Sequence, residues 1–366
     1  MRADGATALF GGTRYKPLLI WSHGRSGSTL FLDMLASDPA LWSIYEPLQD
    51  VRQRPPSHFQ VAPSQVGPCR DHAKGADTLR SACPLRDAGL LLAALDCDFA
   101  PLLTAWYAEL ELTNRFSAFL PHGNVHGAGY TTTTYYPDLR ERRATMMREQ
   151  QRSCSAKLGS VGKVIRMNGH LDAVHEVALA LGRPLPLVIH LVRDPRAMYA
   201  SRKRLSREAF GVPRAQSKAL LHSWARDVCS TTQQDAALAR AKMRGSYMLV
   251  DYSDFVRRPK DWVEMLYAKH LRRPVPEAVY TYLREHLPST RGRHHNTSAV
   301  QNTSWEYMFS TTARDIERVD HQWESELLPW ELHILAAECA NRMPELPWFR
   351  KMRARRNNRS SHVQTL

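Results

Sequence analysis

The chain has 366 residues, 43% hydrophobic and 23% charged, with a net charge of +14. It can bury a sizeable core without disulfide staples, and its composition excludes a collagen, a coiled coil and a wholly disordered chain. The basic surplus implies an anionic partner: nucleic acid, membrane surface, anionic glycan or phosphorylated ligand.

The apolar run from Pro17 to Ser22 reads as a buried parallel strand. It enters HGRSGST at His23–Thr29. Leu30, Phe31, Met34 and Leu35 then recur at helical spacing until Pro39. The order is strand, glycine-bearing loop, helix. Trp42–Pro47 reads as a second strand ending at Glu46. Residues 50–85 hold five prolines and read as a long irregular insertion. Leu90–Phe119 reads as one or two buried helices. Its first part is the best membrane-span candidate, but Asp96, Asp98, Pro101 and Glu109 argue against that role.

Residues 121–140 begin as a second irregular insertion, rich in Gly and Thr. Lys163–Met167 is a third strand candidate, followed by a helix over Leu171–Leu181. Leu185–Val192 is the clearest strand in the chain, and Pro195 opens a helix to about Leu205. Arg214–Arg240 reads as a long helix, Gly245–Phe255 as a strand and Pro259–Leu271 as a helix. Alternating strands and helices predict an α/β fold with a parallel sheet covered on both faces. They form a single domain over 17–345, with flexible ends at 1–16 and 350–366. The second end carries the basic run Arg350–Arg359.

The N-terminus has no apolar signal core, so the sequence reads as soluble or as having lost an anchor. Six cysteines without a CxxC pair speak against zinc, and their even number is compatible with disulfides in fifteen connectivities. Asn296, Asn302 and Asn358 open glycosylation sequons.

Two segments carry chemistry. In His23–Thr29 a strand turns into a helix through small residues, which gathers backbone N–H groups at a positive helix end. Ser26, Ser28 and Thr29 add hydroxyl donors, Gly24 and Gly27 allow close approach, and Arg25 adds a permanent charge. No Lys follows Gly27, so the nucleotide-triphosphate loop pattern is not met. The second segment is Leu191–Arg204. Arg193 leaves a strand at the edge where ligands bind in open α/β sheets, and Ser201 lies two helical turns on. Two anion cradles suggest one ligand with phosphates at both ends.

GRSGST after the first strand resembles the 5′-phosphosulfate loop of the carbohydrate sulfotransferases. VIHLVRDPRAMYASR resembles their 3′-phosphate motif. Tyr45-Glu46-Pro47, Lys163-VIR, Gly211-VPR, Tyr247-MLVDYSDFVRRP and Thr311–Trp323 add smaller similarities, over about 17–345. The nearest resemblance is to the galactose and N-acetylglucosamine 6-O-sulfotransferase branch. It implies a P-loop-NTPase-like fold, the donor 3′-phosphoadenosine 5′-phosphosulfate (PAPS) and sulfuryl transfer to a sugar hydroxyl, at the 6-O position. It implies that Arg25, Ser26, Gly27, Ser28 and Thr29 hold the 5′-phosphosulfate and that Arg193 and Ser201 hold the 3′-phosphate.

Cytosolic relatives carry Lys where Arg25 stands, and an Arg there also neutralises the leaving oxygen. Family members commonly have a bulkier or polar residue at His23. The resemblance further implies a glycan acceptor with galactose, N-acetylglucosamine or N-acetylgalactosamine units, no nucleic-acid partner, and a Golgi location behind a membrane anchor absent from this chain.

Transfer needs a base for the acceptor hydroxyl. Glu46 is the first candidate and His23 the second. His170 and His190 are weaker, His190 reading as a core histidine in mid-strand. Arg166 is a candidate for facing the acceptor. The donor carries its own leaving group, so no metal is expected. Two other readings stand beside this one: a P-loop-like kinase or NTPase with Asp194 as its metal-binding acid, and a non-catalytic binding protein for nucleotides or anionic glycans.

Overall fold

The computed structural model describes residues 15–48, 83–101, 148–165, 167–210, 218–287, 321–342, 346 and 348. Most of both insertions, the two ends, the three sequons, Cys69, Arg166, Gly211–Arg214 and most of Thr311–Trp323 lie outside the described residues.

Five parallel strands form one sheet in the order β2-β3-β1-β4-β5: β1 (Leu18–Ser22), β2 (Leu41–Tyr45), β3 (Gly159–Val164), β4 (Leu187–Val192) and β5 (Tyr247–Asp251). β1 is central, with β3 on one side and β4 on the other. The chain moves outward to β2, returns through β3 and crosses to β4, so the switch in strand order falls at β1. In such sheets the crevice at the carboxyl ends beside the switch point receives ligand.

Alternation along the strands feeds two cores. Leu19 and Trp21 of β1 face α2 (Pro84–Leu95) and α3 (Leu171–Ala180). Leu18 and Ile20 face α1 (Ser28–Ala36) on the other side. A third cluster packs α4 (Pro195–Phe210) and α5 (Lys218–Lys242) against chain near the carboxyl end. Side chains that leave a strand alternately up and down produce this division.

β3 runs over Gly159–Val164, earlier than the Lys163–Met167 expected. Its sequence, GSVGKV, lacks the apolar signature of a buried strand because α2 presses on it. A Cβ on Gly162 would lie 2.9 Å from Leu95 Cδ2. The register pairs Lys163 with Tyr45, the residue before Glu46.

β5 is also shorter than expected. It stops at Asp251, whose side chain accepts from the Ser253 and Asp254 amides and so caps α6 (Tyr252–Arg257). Then α7 (Pro259–Leu266) closes with a π turn at Tyr267–Leu271, and α8 (Glu277–His286) follows. The described chain near its end adds α9 (Trp323–Glu326) and α10 (Pro329–Cys339).

Two disulfides bind these layers: Cys97–Cys154, and Cys229–Cys339 between α5 and α10. Cys83 is also disulfide-bonded. No helix among the described residues is long and apolar enough to cross a membrane.

Candidate active site

Because all five strands are parallel, the residues that follow them emerge at one edge: His23 after β1, Glu46 after β2, Arg193 after β4 and Tyr252 after β5. Lys163 lies one residue from the end of β3.

The loop after β1 reverses the chain through two left-handed residues, Arg25 (φ 70°) and Gly27 (φ 88°). Gly27 is required twice over. Its φ suits glycine, and a Cβ there would sit 2.1 Å from the Tyr252 ring. α1 then starts with no side-chain cap and no acidic residue in its first turn. The N–H groups of that turn therefore present positive charge to the crevice. Ser26 is 1% exposed and its Oγ has no hydrogen-bond partner among the described residues. An orphaned buried hydroxyl is costly without a ligand to satisfy it, so the loop fits an anion.

On the β3 side, Lys163 Nζ donates to Thr29 Oγ1 at 2.9 Å and pairs with Glu46 Oε1 at 3.1 Å. The same ammonium lies 3.7 Å from the centre of the Tyr45 ring. Lys163 and Glu46 are 2% and 6% exposed. Glu46 holds φ 41°, a left-handed backbone just before Pro47. Strain of this kind in a non-glycine residue concentrates at functional sites.

On the β4 side, Arg193 is 8% exposed, and its Nη1 donates to the Arg25 carbonyl at 3.2 Å. Its guanidinium lies over the Tyr252 ring at 4.4 Å. Arg25 Nε donates to Ser201 Oγ at 3.0 Å. The loop arginine therefore reaches toward α4. Asp194 turns away from this cluster: both its carboxylate oxygens accept from Arg196, which stacks on Trp323. Lys203 pairs with the buried Glu331 and anchors α4 to α10.

The structure thus brings Arg25, Arg193 and Ser201 together, and Thr29 together with Glu46. Gly27 and Ser28 form the turn between these groups. His23 faces α5. His23 Nε2 lies 3.2 Å from Thr231 Oγ1, whose hydroxyl also reaches the Asp227 carbonyl at 2.8 Å. His190 is fully buried and bonds the Tyr247 hydroxyl at 2.9 Å. Burial, then the nearby His23, pushes its pKa down to about 3, so it is neutral. His170 sits at the N-terminal end of α3.

Three residues escaped the sequence reading. The sequence reading places Lys163 at the start of a strand and in the Lys163-VIR similarity, with no role in the site. Tyr252 was assigned to β5 although Asp-Tyr-Ser-Asp carries a helix-cap signal. Asp235, in mid-α5, accepts from Trp21 Nε1 at 2.8 Å and from the Gly169 and Leu171 amides at 2.8 and 3.2 Å. It ties β1 to the start of α3. Burial pushes its pKa up to about 6 despite those donors. A small cavity beneath the loop is lined by His23, Ser26, Arg193, Met198, Cys229 and Trp348.

Residues 17–277 match the family model described as "Sulfotransferase family". Among solved structures, the chain is similar to the sulfotransferase domain of the Synechococcus PCC 7002 olefin synthase. The TM-score is 0.42 and the identity 16%, over 90% of this chain and 96% of that one. The sulfotransferase domain from the curacin biosynthetic pathway gives the same score and identity, over 89% and 98%. Sulfotransferase STF1 from Mycobacterium tuberculosis H37Rv gives 0.36 and 17%, over 74% and 71%. No curated protein matches the sequence.

Proposed function

This chain belongs to the sulfotransferase family and is a transferase enzyme, and on that premise we propose that it moves a sulfuryl group from PAPS to a sugar hydroxyl of a glycan, at the 6-O position. The observation that supports the proposal is the pair of basic, hydroxyl-bearing clusters after β1 and β4, with the buried Glu46 carboxylate beside the first. A donor phosphorylated at both 5′ and 3′ ends suits two such clusters. PAPS supplies, when bound, a sulfuryl group already joined to its leaving group.

The protein's residues divide the remaining work. The amides of the first turn of α1 and the hydroxyls of Ser26, Ser28 and Thr29 hold the 5′-phosphosulfate. Arg193 and Ser201 hold the 3′-phosphate through charge-assisted bonds. Glu46 accepts the proton of the acceptor hydroxyl at a carboxylate oxygen. Lys163 fixes that carboxylate and links it to Thr29, so base and donor loop share one cation. Fixed charges in a buried site need no reorganisation during reaction.

The sugar acceptor rests on the resemblance of the two motifs to the carbohydrate branch and on the net charge of +14, which suits an anionic glycan. Disulfides persist in oxidising compartments, which supports a place in the secretory pathway such as the Golgi lumen. The kinase reading loses its metal-binding candidate, because Asp194 is committed to Arg196.

Radiolabelled PAPS offered with a panel of glycans tests the proposal. Label is expected in acceptors with galactose, N-acetylglucosamine or N-acetylgalactosamine units. Label confined to non-sugar hydroxyls would remove the glycan assignment, and no label from PAPS on any acceptor would remove the donor.

A further inference from the structure

We infer that the amino edge of the sheet, opposite the active site, is a binding surface for sulfated glycan chains. The choice of a glycan rests on the function proposed above. The surface itself is built from residues that take no part in the donor site.

Lys16 stands just before β1 and so marks the amino edge. Leu187, which opens β4, donates its amide to the Pro17 carbonyl at 2.8 Å. Ser246, the residue before β5, accepts from the Lys16 ammonium. The π turn that closes α7 reaches the same edge. Tyr267 Oη donates to Asp38 Oδ2 at 2.7 Å, and Asp38 also accepts from Arg273. The Arg273 guanidinium lies 5.2 Å from the centre of the Tyr15 ring, next in sequence to Lys16. These contacts bring Lys16 together with Lys269, His270 and Arg272 of the π turn and its end.

Charge at this edge is unbalanced. Asp38 is fully buried and committed to Arg273 and Tyr267. Among the described residues, none of Lys16, Lys269, His270 and Arg272 pairs with a carboxylate. Lys269 and Arg272 are exposed, and Lys16 and His270 are half-buried. Burial lowers the pKa of Lys16, and burial followed by Lys269 and Lys16 lowers that of His270. The carbonyl end of α7 and its π turn attracts cations and accounts for Lys269 and His270. It does not account for Lys16, which comes from another element and adds like charge to the same place. A partly desolvated ammonium whose side-chain partner is a neutral hydroxyl gains from an anion supplied by a ligand.

A sulfated glycan is a row of fixed anions on a hydroxyl-rich chain. Ammonium, imidazole and guanidinium groups spread over two elements suit several sulfate esters better than one small ion. The product of the proposed reaction belongs to this class. The amino edge therefore holds chain that is already sulfated, while the carboxyl edge acts on a further unit.

Calorimetric titration with dextran sulfate, neutral dextran and phosphatidylserine vesicles tests the surface, with adenosine 3′,5′-diphosphate present throughout to fill the donor site. The wild type should bind dextran sulfate, less tightly as salt rises, and should not bind neutral dextran. Lys269→Ala/Arg272→Ala should weaken dextran sulfate by ~10-fold or more. The slope of log affinity against log salt should fall by about one for each charge removed. Affinity for adenosine 3′,5′-diphosphate and the melting temperature should match the wild type. Lys269→Glu alone should act in the same direction without touching the left-handed Arg272. Lys218→Ala/Arg257→Ala removes equal charge at the start of α5 and the end of α6 and should leave dextran sulfate binding close to wild type. Equal weakening by both pairs would show a general charge effect and overturn the surface, as would a wild type that binds no dextran sulfate. Loss of vesicle binding with dextran sulfate binding intact in Lys269→Ala/Arg272→Ala would assign the edge to a lipid surface and overturn the glycan. Each of these results is separate from the acceptor panel, in which failure of the transfer reading itself appears.

Discussion

Lys163 lies between Glu46 and Thr29, its ammonium 3.1 Å from the carboxylate and 2.9 Å from the hydroxyl. One cation thereby connects the end of β2 with the first turn of α1. The parallel register that sets Lys163 beside Tyr45 makes the arrangement possible.

That relationship predicts coupled stabilities. Removing one partner of a buried pair leaves an uncompensated charge and costs roughly 3–5 kcal/mol. Lys163→Met should therefore lose stability in urea unfolding, together with sulfate transfer. The double variant Lys163→Met/Glu46→Gln should be less destabilised than the two single variants added, by ~1–3 kcal/mol. Additive losses would show that the two side chains do not depend on each other.

Gly27 should tolerate no side chain. Gly27→Ala meets both an unfavourable φ of 88° and the Tyr252 ring. It should lose stability, and titration with adenosine 3′,5′-diphosphate should show a loss of affinity of tenfold order or more. Shortening Tyr252 to Ala in that background should return part of the stability and none of the φ cost. Full donor affinity in Gly27→Ala would mean that the loop is not held as described.

Much of this site follows from sequence through simple physics. The apolar runs of β1 and β4, the glycines after β1 and the arginine after β4 are local signals, and they place two basic, hydroxyl-bearing turns at one sheet edge. Lys163 and Asp235 were hidden because their roles are made by packing. Lys163 sits in a glycine-containing strand that only the pressure of α2 explains. Asp235 looks like any polar residue of a 25-residue helix until Trp21 and Gly169 are seen to donate to it. The contact between Arg25 and Ser201 was hidden for the same reason, since both motifs were visible but not the side chain that joins them. The two irregular insertions, 50–85 and 121–140, carry no pattern that sequence physics reads.

His190 predicts acid sensitivity. Its folded pKa is about 3, against an ordinary 6.5. The unfolded chain thus takes up a proton between those values that the folded protein refuses. Stability from this group is intact above pH 6.5 and falls as the pH drops toward 3, by up to about 5 kcal/mol. Asp235 acts oppositely. Its pKa is raised from 3.8 to about 6, so its contribution falls as the pH rises through that window. Comparing His190→Leu with wild type cancels the Asp235 effect. Chemical denaturation from pH 4 to 7 should show a smaller acid-side loss in the variant, and identical profiles would place the titration elsewhere.

The base assignment admits the most direct test: nucleotide binding and sulfate transfer measured on the same preparations of wild type and Glu46→Gln. Gln keeps the shape of Glu but cannot take a proton from the acceptor hydroxyl. Transfer from PAPS should fall by ~10²–10⁴, while affinity for adenosine 3′,5′-diphosphate stays close to wild type. Transfer retained at most of its wild-type rate would contradict Glu46 as the base and turn attention to His23, on the α5 side of the loop.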